Sequence, residues 1–276
     1  MTNILSQEEE ALLDSVINEE NTESDNTLIP ENHITNQSDI IISRFSGAQW
    51  YEYINKLDVT VAGIGGIGSN FVFLLSRLNP YNICLYDDDK VELANLSGQL
   101  FGTDDIKLKK VFAITNKIKT LSSYYKYICN ACKFEKGDTL SNISVCGFDN
   151  MEARKIYFDA WLDKIIELSN NWQNMELASK FLFIDGRLNL EEFQIFAIQG
   201  NDREAIKAYQ EKWLFDDAEA EHTICSQKQT TFMSCMIASM MINILVNFAA
   251  NKSGDMRPVP FYTNYNANTM YTKIEL

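Results

Sequence analysis

Four glycines within six residues separate an extended apolar run from an apolar pattern with helical spacing. The segment reads VTVAGIGGIGSNFVFLL over residues 59–75. A glycine-rich turn between a strand and a helix points backbone N–H groups and the positive end of the helix dipole at an anion. We assign Gly63 to the tight turn and Gly65 and Gly66 to the close approach of a phosphate. Gly68 would let the helix pack closely on the strand.

Strand and helix patterns alternate through the rest of the chain. Strands are predicted at Asp58–Ala62, Ile83–Tyr86, Tyr125–Cys129, Ile143–Cys146, Phe181–Asp185 and Glu192–Ala197. Helices are predicted at 48–55, Ile67–Leu78, Lys109–Leu121, Met151–Leu168, Asp202–Lys212 and about Thr231–Ala249. This order predicts an α/β fold, a Rossmann-like and mostly parallel sheet with helices on both faces. The tail PFYTNYNANTMYTKIEL adds two short strands, a smaller C-terminal antiparallel part.

Composition divides the 276 residues into two parts. Residues 1–40 are acidic and rich in Asn, Ser, Thr and Glu, which predicts a flexible arm because little apolar surface is available for burial. Residues 41–276 are predicted to form one domain. The N-terminus has neither a basic start nor an apolar stretch of signal length, so we expect a cytoplasmic protein with reduced thiols.

Charge limits the classes of partner. A net charge of −14 argues against nucleic acid or an anionic membrane, because both would be repelled. The uncharged segment Gln229–Asn251 has the length of a membrane span. Its Ser, Thr, Asn and Met content instead favours a helix buried in the core or at a dimer interface, with Cys235 in the core. Cys129 and Cys132 form a single C-x-x-C, whereas a common zinc site needs a second pair.

Asp87 ends the second predicted strand, 24 residues after Gly63. A carboxylate at this distance beyond a glycine loop suits the hydroxyl groups of a ribose. Together the loop and the aspartate predict a nucleotide in a Rossmann-type crevice.

The segment after this strand resembles a signature of the ThiF/MoeB/HesA family, which includes the adenylation domains of ubiquitin-activating enzymes. YDDDKVELANLSGQLF, residues 86–101, is similar to D-x-D-x-V-x-x-x-N-L-x-R-Q. The matching residues are Asp87, Asp89, Val91, Asn95, Leu96 and Gln99. Three further matches follow the family's order: the G-x-G-G-x-G-S ending at Ser69, a lysine before a helix at Lys110, and D-N-x-x-x-R at Asp149, Asn150 and Arg154. The resemblance covers about residues 41–250.

The resemblance implies binding of ATP with Mg²⁺ and attack of a carboxylate on the α-phosphate, which gives an acyl-adenylate as pyrophosphate leaves. The carboxylate would be the C-terminus of a ubiquitin-fold or sulfur-carrier protein, or a small molecule, and a homodimer is implied. Nucleotide-binding residues would be the glycine loop with Ser69, together with Asp87, Asp89, Asn95, Gln99, Lys110 and Asn150. Asp149 would hold Mg²⁺ while Lys110 reaches the phosphates, since the cations must offset charge repulsion.

Three of these assignments have structural alternatives. Asp149 lies where it can cap the following helix. Lys110 belongs to a cluster with Lys107 and Lys109, which is also typical of a solvated face. Arg154 follows Asn150 by about one helical turn and can simply pair with an acid.

Two arginines of the family pattern are missing. Gly98 replaces the arginine of N-L-x-R-Q, and Gly47 replaces the second arginine of an N-terminal R-Y-x-R-Q, in which Arg44 keeps the first. Loss of cations near transferring phosphates can cost orders of magnitude in rate. The candidate substitutes are Arg44 acting across subunits, Lys107 and Arg187. Arg187 follows a buried strand, where it is expected either to bind a carboxylate or phosphate bidentately or to be paired within a turn.

Some family members use a cysteine in the loop before a long helix as a nucleophile. Cys225 in EHTICSQKQTT lies at the matching position, with His222 and Lys228 nearby. A thiolate there would be favoured by the helix end and by adjacent cations. The alternative is a half-buried loop cysteine.

Three functional hypotheses follow. The first is an ATP-dependent adenylyltransferase of the ThiF type. The second is a nucleotide-binding pseudoenzyme that acts as an interaction module. The third is an NAD-dependent oxidoreductase with the same glycine loop, which leaves Asn95, Gln99 and the Asp149–Asn150 pair unexplained.

Overall fold

A computed structural model describes residues 44–215 and 230–276. Within these ranges eight strands form one sheet in the order β3-β2-β1-β4-β5-β6-β7-β8. Their bounds are β1 Asp58–Ala62, β2 Asn82–Tyr86, β3 Tyr127–Asn130, β4 Ile143–Cys146, β5 Leu182–Asn189, β6 Glu192–Gln199, β7 Tyr262–Asn266 and β8 Tyr271–Glu275. Strands β1 to β5 pair in parallel, and β5 to β8 pair antiparallel.

The helices alternate with the strands as the sequence predicts. They are α1 Tyr51–Ile54, α2 Gly66–Arg77, α3 Lys110–Ser122, α4 Met151–Leu168, α5 Met175–Ala178, α6 Arg203–Lys212 and α7 Thr231–Lys252. Two 3₁₀ helices, Leu93–Ser97 and Thr103–Asp105, lie in the connection from β2 to α3. The predicted fold class is confirmed. The predicted arm at residues 1–40 lies outside the described residues, so the domain boundary stays a prediction.

The parallel strands are buried on both faces. Val59 and Val61 of β1 belong to a cluster with α2, α3 and α7, whereas Ala62 belongs to an opposite cluster with α4 and α6. This division follows from the alternation of side chains along a strand. The sheet is therefore a central layer whose strand ends, rather than its faces, are available for a ligand.

Helix α7 packs against α2, β5 and β6. It is the one helix of the described residues that is long and apolar enough to cross a membrane, and half of its most apolar window is buried in the protein. Cys235 is exposed on this helix, so its predicted core position is wrong. The helix carries no charge from Thr231 to Asn251, so its composition did not reveal which face meets the sheet.

Candidate active site

Three loops meet at the carboxyl ends of the central strands. They follow β1, β2 and β4, and β1 lies between the other two in the sheet. The chain passes from β1 to β2 on one side, whereas β4 returns on the other. Parallel sheets bind ligands in the crevice that opens at such a switch in strand order.

The glycines of the first loop have distinct roles. Gly63 has a φ of +87°, and a Cβ there would lie 2.6 Å from the carbonyl carbon of Gly147. A Cβ on Gly68 would lie 1.9 Å from the carbonyl oxygen of Gly63. A Cβ on Gly65 would have no neighbouring heavy atom within 4 Å. Gly63 and Gly68 are therefore required for packing, while Gly65 borders open space that a ligand can enter.

Gly147 was not identified as a site residue from the sequence. It follows β4 directly and contacts the glycine loop through its backbone, where a Cβ would lie 2.7 Å from the Gly63 oxygen. The only sequence signal was a glycine immediately after a buried strand. This signal is ambiguous because glycines are common in turns.

Asp87 connects the first two loops. Its carboxylate is buried and accepts hydrogen bonds from the backbone N–H groups of Ile64, at 2.7 Å, and Asp89, at 2.8 Å. Burial raises the pKa of Asp87, although the Lys110 ammonium and these two N–H groups act in the opposite direction. Each carboxylate oxygen retains a second lone pair, so Asp87 can still accept hydrogen bonds from ribose hydroxyls.

Lys110 is the first residue of α3, and its side chain is buried. Its Nζ lies 2.7 Å from Oδ2 of Asp89, whose side chain is 65% exposed. Nζ of the neighbouring Lys109 donates to the carbonyl oxygen of Asp88. The burial of Lys110 argues against a solvated lysine face. Because Asp89 is exposed, another anion that enters the crevice can replace it as the partner of the buried Lys110 ammonium.

The segment after β2 is held against α2. The buried Oγ of Ser69 accepts a hydrogen bond from the backbone N–H of Leu100 at 3.0 Å. Oδ1 of Asn95 accepts one from the N–H of Glu92 at 2.9 Å, so it caps a 3₁₀ helix. Oε1 of Gln99 is buried and has no hydrogen-bond partner among the described residues. A buried acceptor without a donor is costly, and a bound hydroxyl, amine or water would satisfy it.

The third loop carries the candidate metal ligand. Asp149 and Asn150 are exposed, and Oδ1 of Asn150 accepts from the N–H of Ala153 at 2.8 Å, capping α4. Among residues 44–215 and 230–276, no group of three or more His, Cys, Asp or Glu is placed to hold a metal. Mg²⁺ commonly takes one or two carboxylates with phosphates and water, so the single carboxylate of Asp149 fits a nucleotide-dependent metal.

The two arginines near the crevice point inward. Arg154 pairs with the fully buried Asp185. Arg187 donates from Nε to Asp185 at 2.8 Å and from Nη2 to the Trp213 carbonyl at 2.9 Å, and it stacks 4.7 Å from the ring centroid of Phe196. Burial would raise the pKa of Asp185, but the two guanidinium groups outweigh it and hold that pKa below its usual value. Of the two interpretations of Arg187, the geometry matches the paired one.

The remaining candidates are two exposed basic residues, a buried glycine and three residues that the structure does not describe. Arg44 and Lys107 are exposed, and Lys107 has a φ of +73°. The buried Gly98 follows Ser97, whose carbonyl accepts a hydrogen bond from Thr231 at the start of α7. Cys225, His222 and Lys228 lie outside the described residues.

Comparison with known proteins gives a consistent picture. A model of the ThiF family matches residues 37–275. Ubiquitin-like modifier-activating enzyme 5 of Aedes aegypti is 36% identical over 141 residues, which cover 44% of this chain and 34% of that protein. The enzyme of the same name from Arabidopsis thaliana is 33% identical over 103 residues, which cover 35% and 24%. The chain thus spans about a third or less of the length of these relatives.

Solved structures share the fold at low identity. PaaA has a TM-score of 0.64 and 17% identity, over 99% of this chain and 83% of that protein. E. coli MccB with ATP has a TM-score of 0.58 and 14% identity, over 98% and 79%. At such identity the likeness establishes the architecture alone.

Proposed function

The chain belongs to the ThiF family, and from this membership we propose that it uses ATP and Mg²⁺ to convert a carboxylate into an acyl-adenylate. The observation that carries the proposal is the open space at Gly65, next to the Ile64 N–H that the Asp87 carboxylate binds, together with the buried ammonium of Lys110 that pairs with Asp89. A nucleotide needs these three features: room at backbone N–H groups, an acceptor for the ribose and a cation for the phosphates.

We assign the parts of the nucleotide to these loops. Asp87 accepts from the ribose hydroxyls, and the backbone at Gly65 and Gly66 faces the phosphates. Lys110 leaves Asp89 for a phosphate oxygen when the nucleotide binds. Gln99 accepts a hydrogen bond from the bound ligand, which satisfies its buried oxygen. Ser69, Asn95 and Asn150 each accept one hydrogen bond from the backbone, which holds their side chains in place, and their remaining donors and lone pairs are proposed to face the nucleotide.

Asp149 is the proposed Mg²⁺ ligand. When bound, the metal supplies positive charge that offsets the repulsion between a carboxylate and the phosphates. Asp149 would orient it from the exposed tip of the loop after β4. The positive charge of the metal is needed more than usual in this chain, because Gly98 and Gly47 replace two arginines and Arg187 is paired with Asp185.

The carboxylate substrate is proposed to be the C-terminus of a small protein or peptide. Two observations support this class. Sequence relatives are named ubiquitin-like modifier-activating enzymes, and one fold relative, MccB, was crystallised with MccA. We further propose that the thiolate of Cys225, in the connection before α7, attacks the carbonyl carbon of the acyl-adenylate, which breaks the acyl–phosphate bond, releases AMP and leaves a thioester. The cytoplasmic location remains a prediction.

We propose that two copies of the chain form a homodimer through the solvent-exposed face of α7. Phe232 is 51% exposed and Met236 is 39% exposed on this uncharged helix surface. Burial of such a face in a second copy would remove apolar area from water. Light scattering at micromolar concentration tests this proposal, and a monomer would contradict both the dimer and the action of Arg44 across subunits.

Exchange of labelled pyrophosphate into ATP tests the activity. The expected result is Mg²⁺-dependent exchange that requires a carboxylate substrate and disappears in Asp149→Asn, while Asp163→Asn, at an exposed position of α4, serves as the control. Tight ATP binding without exchange, for every candidate C-terminus offered, would instead favour a nucleotide-binding pseudoenzyme. The ThiF family match disfavours an NAD-dependent oxidoreductase, since it covers the motifs that the NAD hypothesis leaves unexplained.

A further inference from the structure

A buried ionic network lies directly beneath the loop that carries Asp149. We call it the Asp185 network, and it consists of Asp185, Arg154, Arg187 and Tyr209. The carboxylate of Asp185 is fully buried, pairs with both guanidinium groups and accepts from the Tyr209 hydroxyl at 2.8 Å. Buried ion pairs often add no net stability over apolar packing, so stability is a poor explanation for this arrangement.

Arg154 joins this network to the loop. Its Nη2 donates to the carbonyl oxygen of Phe148, while its Nη1 donates to Asp185 and, at 3.3 Å, to the carbonyl oxygen of Gly186. One planar guanidinium therefore fixes the residue next to Asp149 relative to the middle of β5. A lysine cannot make these contacts together, because its ammonium is a single point charge.

The other neighbours of Asp149 are also fixed. Gly147 donates its N–H to the Ala62 carbonyl at 2.8 Å and packs against Gly63. Asn150 caps α4. Asp149 is thus the exposed tip of a loop that is anchored before it by Gly147 and Phe148 and after it by Asn150. The Phe148 anchor depends on the side chain of Arg154, which lies in α4 and outside the short loop.

We propose that Arg154, oriented by Asp185, is a positioning residue that sets the Asp149 carboxylate for its metal. The inference rests on the proposed function, since it presumes that Asp149 binds Mg²⁺ with ATP. Replacement of a residue that orients a metal ligand without binding the metal itself typically lowers metal affinity by about 10- to 100-fold. Arg154 is expected to act in this way without touching the nucleotide or the metal.

The test compares Arg154→Lys with Arg187→Lys. Both variants replace an arginine that is paired with Asp185, but only Arg154 reaches the Phe148 carbonyl. ATP affinity is measured by calorimetry with and without Mg²⁺, and melting temperature reports the structural cost. We expect both melting temperatures to fall. Only Arg154→Lys should lose the Mg²⁺ enhancement of ATP binding, by about tenfold or more, while binding of ATP without metal is kept.

Two outcomes would overturn the inference. One is an unchanged Mg²⁺ enhancement in Arg154→Lys. The other is an equal loss in Arg187→Lys, which would indicate a general structural effect. If Arg154→Lys does not fold, the variant Tyr209→Phe takes its place in the comparison. Tyr209→Phe removes the hydroxyl that binds Asp185 and leaves every charge in the network unchanged. A Mg²⁺ enhancement of ATP binding equal to that of the wild type would then contradict the inference. Failure of the proposed function is seen separately, as an absent Mg²⁺ enhancement in the wild-type protein.

Discussion

Gly63 and Gly147 lie back to back, and each occupies the space that a side chain on the other would need. A Cβ on Gly63 would lie 2.6 Å from the Gly147 carbonyl carbon, and one on Gly147 would lie 2.7 Å from the Gly63 oxygen. The proposed phosphate loop and the proposed metal loop are therefore packed directly on one another. A change in either glycine is expected to disturb both.

This packing predicts different effects for two glycine-to-alanine variants. Gly147→Ala should lower the free energy of unfolding by more than about 2 kcal/mol, because the new methyl group meets backbone that cannot move freely. Gly65→Ala should change it by less than about 0.5 kcal/mol, because the methyl group enters open space. Gly65→Ala should nevertheless weaken ATP binding by about tenfold or more. Urea unfolding and calorimetry measure the two effects, and full ATP affinity in Gly65→Ala would contradict the assignment.

Asp87→Ala is expected to reduce both stability and nucleotide binding. It removes the acceptor of the Ile64 and Asp89 N–H groups, and each unsatisfied buried donor costs about 1–3 kcal/mol. Asp88→Ala is the matched control from the adjacent position. Urea unfolding should show a loss for Asp87→Ala alone. An unchanged affinity for ATP in a folded Asp87→Ala protein would remove this residue from the ribose site.

The Asp185 network predicts a pH-dependent stability difference. Asp185→Asn leaves two buried arginines without their carboxylate and should cost about 3–5 kcal/mol near neutral pH. The pKa of Asp185 is lowered in the folded protein, so its contribution is present above its ordinary pKa and is lost as the pH falls through the folded value. The difference in the free energy of unfolding between the wild type and Asp185→Asn should thus stay constant from about pH 8 to about pH 5 and become smaller below about pH 4.

The matched control for this measurement is Asp163→Asn. Oδ2 of Asp163 lies 3.5 Å from Nζ of Lys136, and both side chains are exposed. This pair is expected to contribute less than about 1 kcal/mol to the free energy of unfolding. Urea unfolding over this pH range gives both differences. A stability gap for Asp185→Asn that widens toward low pH would have the wrong sign for a carboxylate with a lowered pKa.

Alkylation should separate the cysteines. Burial raises the pKa of the Cys146 thiol to about 12, so Cys146 is expected to stay unmodified by iodoacetamide at about pH 8 in the folded protein. The exposed Cys132 should react. If Cys225 is the proposed nucleophile, it should react faster than Cys132. Peptide mass spectrometry measures these rates, and a Cys225 slower than Cys132 would count against the thioester step.

Much of the fold could be predicted because the local patterns and the tertiary environment agree. Strands β1 and β4 and helix α4 have the predicted bounds, since buried β-branched runs and an asparagine cap mark them clearly. Strand β5 extends beyond its predicted end at Asp185 to Asn189. The extension forms the antiparallel hairpin with β6, a long-range pairing that an apolar run does not reveal.

The site was less predictable than the fold. Sequence spacing placed Asp87 and Asp149 after the carboxyl ends of β2 and β4 and Lys110 at the start of α3, as the structure has them. It did not predict that the Asp87 carboxylate also binds the glycine-loop backbone, or that Arg187 turns inward. The orientation of Arg187 depends on partners that are distant in sequence, namely Tyr209 on α6 and Trp213 directly after it. One-dimensional spacing carries no information on which donor reaches which acceptor.

A crystal structure of the protein with ATP and MgCl₂ tests the central claim most directly. We predict phosphate oxygens within about 3.2 Å of the backbone nitrogen of Gly65 or Gly66. We also predict a metal about 2.1 Å from a carboxylate oxygen of Asp149. A triphosphate bound elsewhere, or an empty crevice at millimolar ATP with no metal at Asp149, would contradict the account.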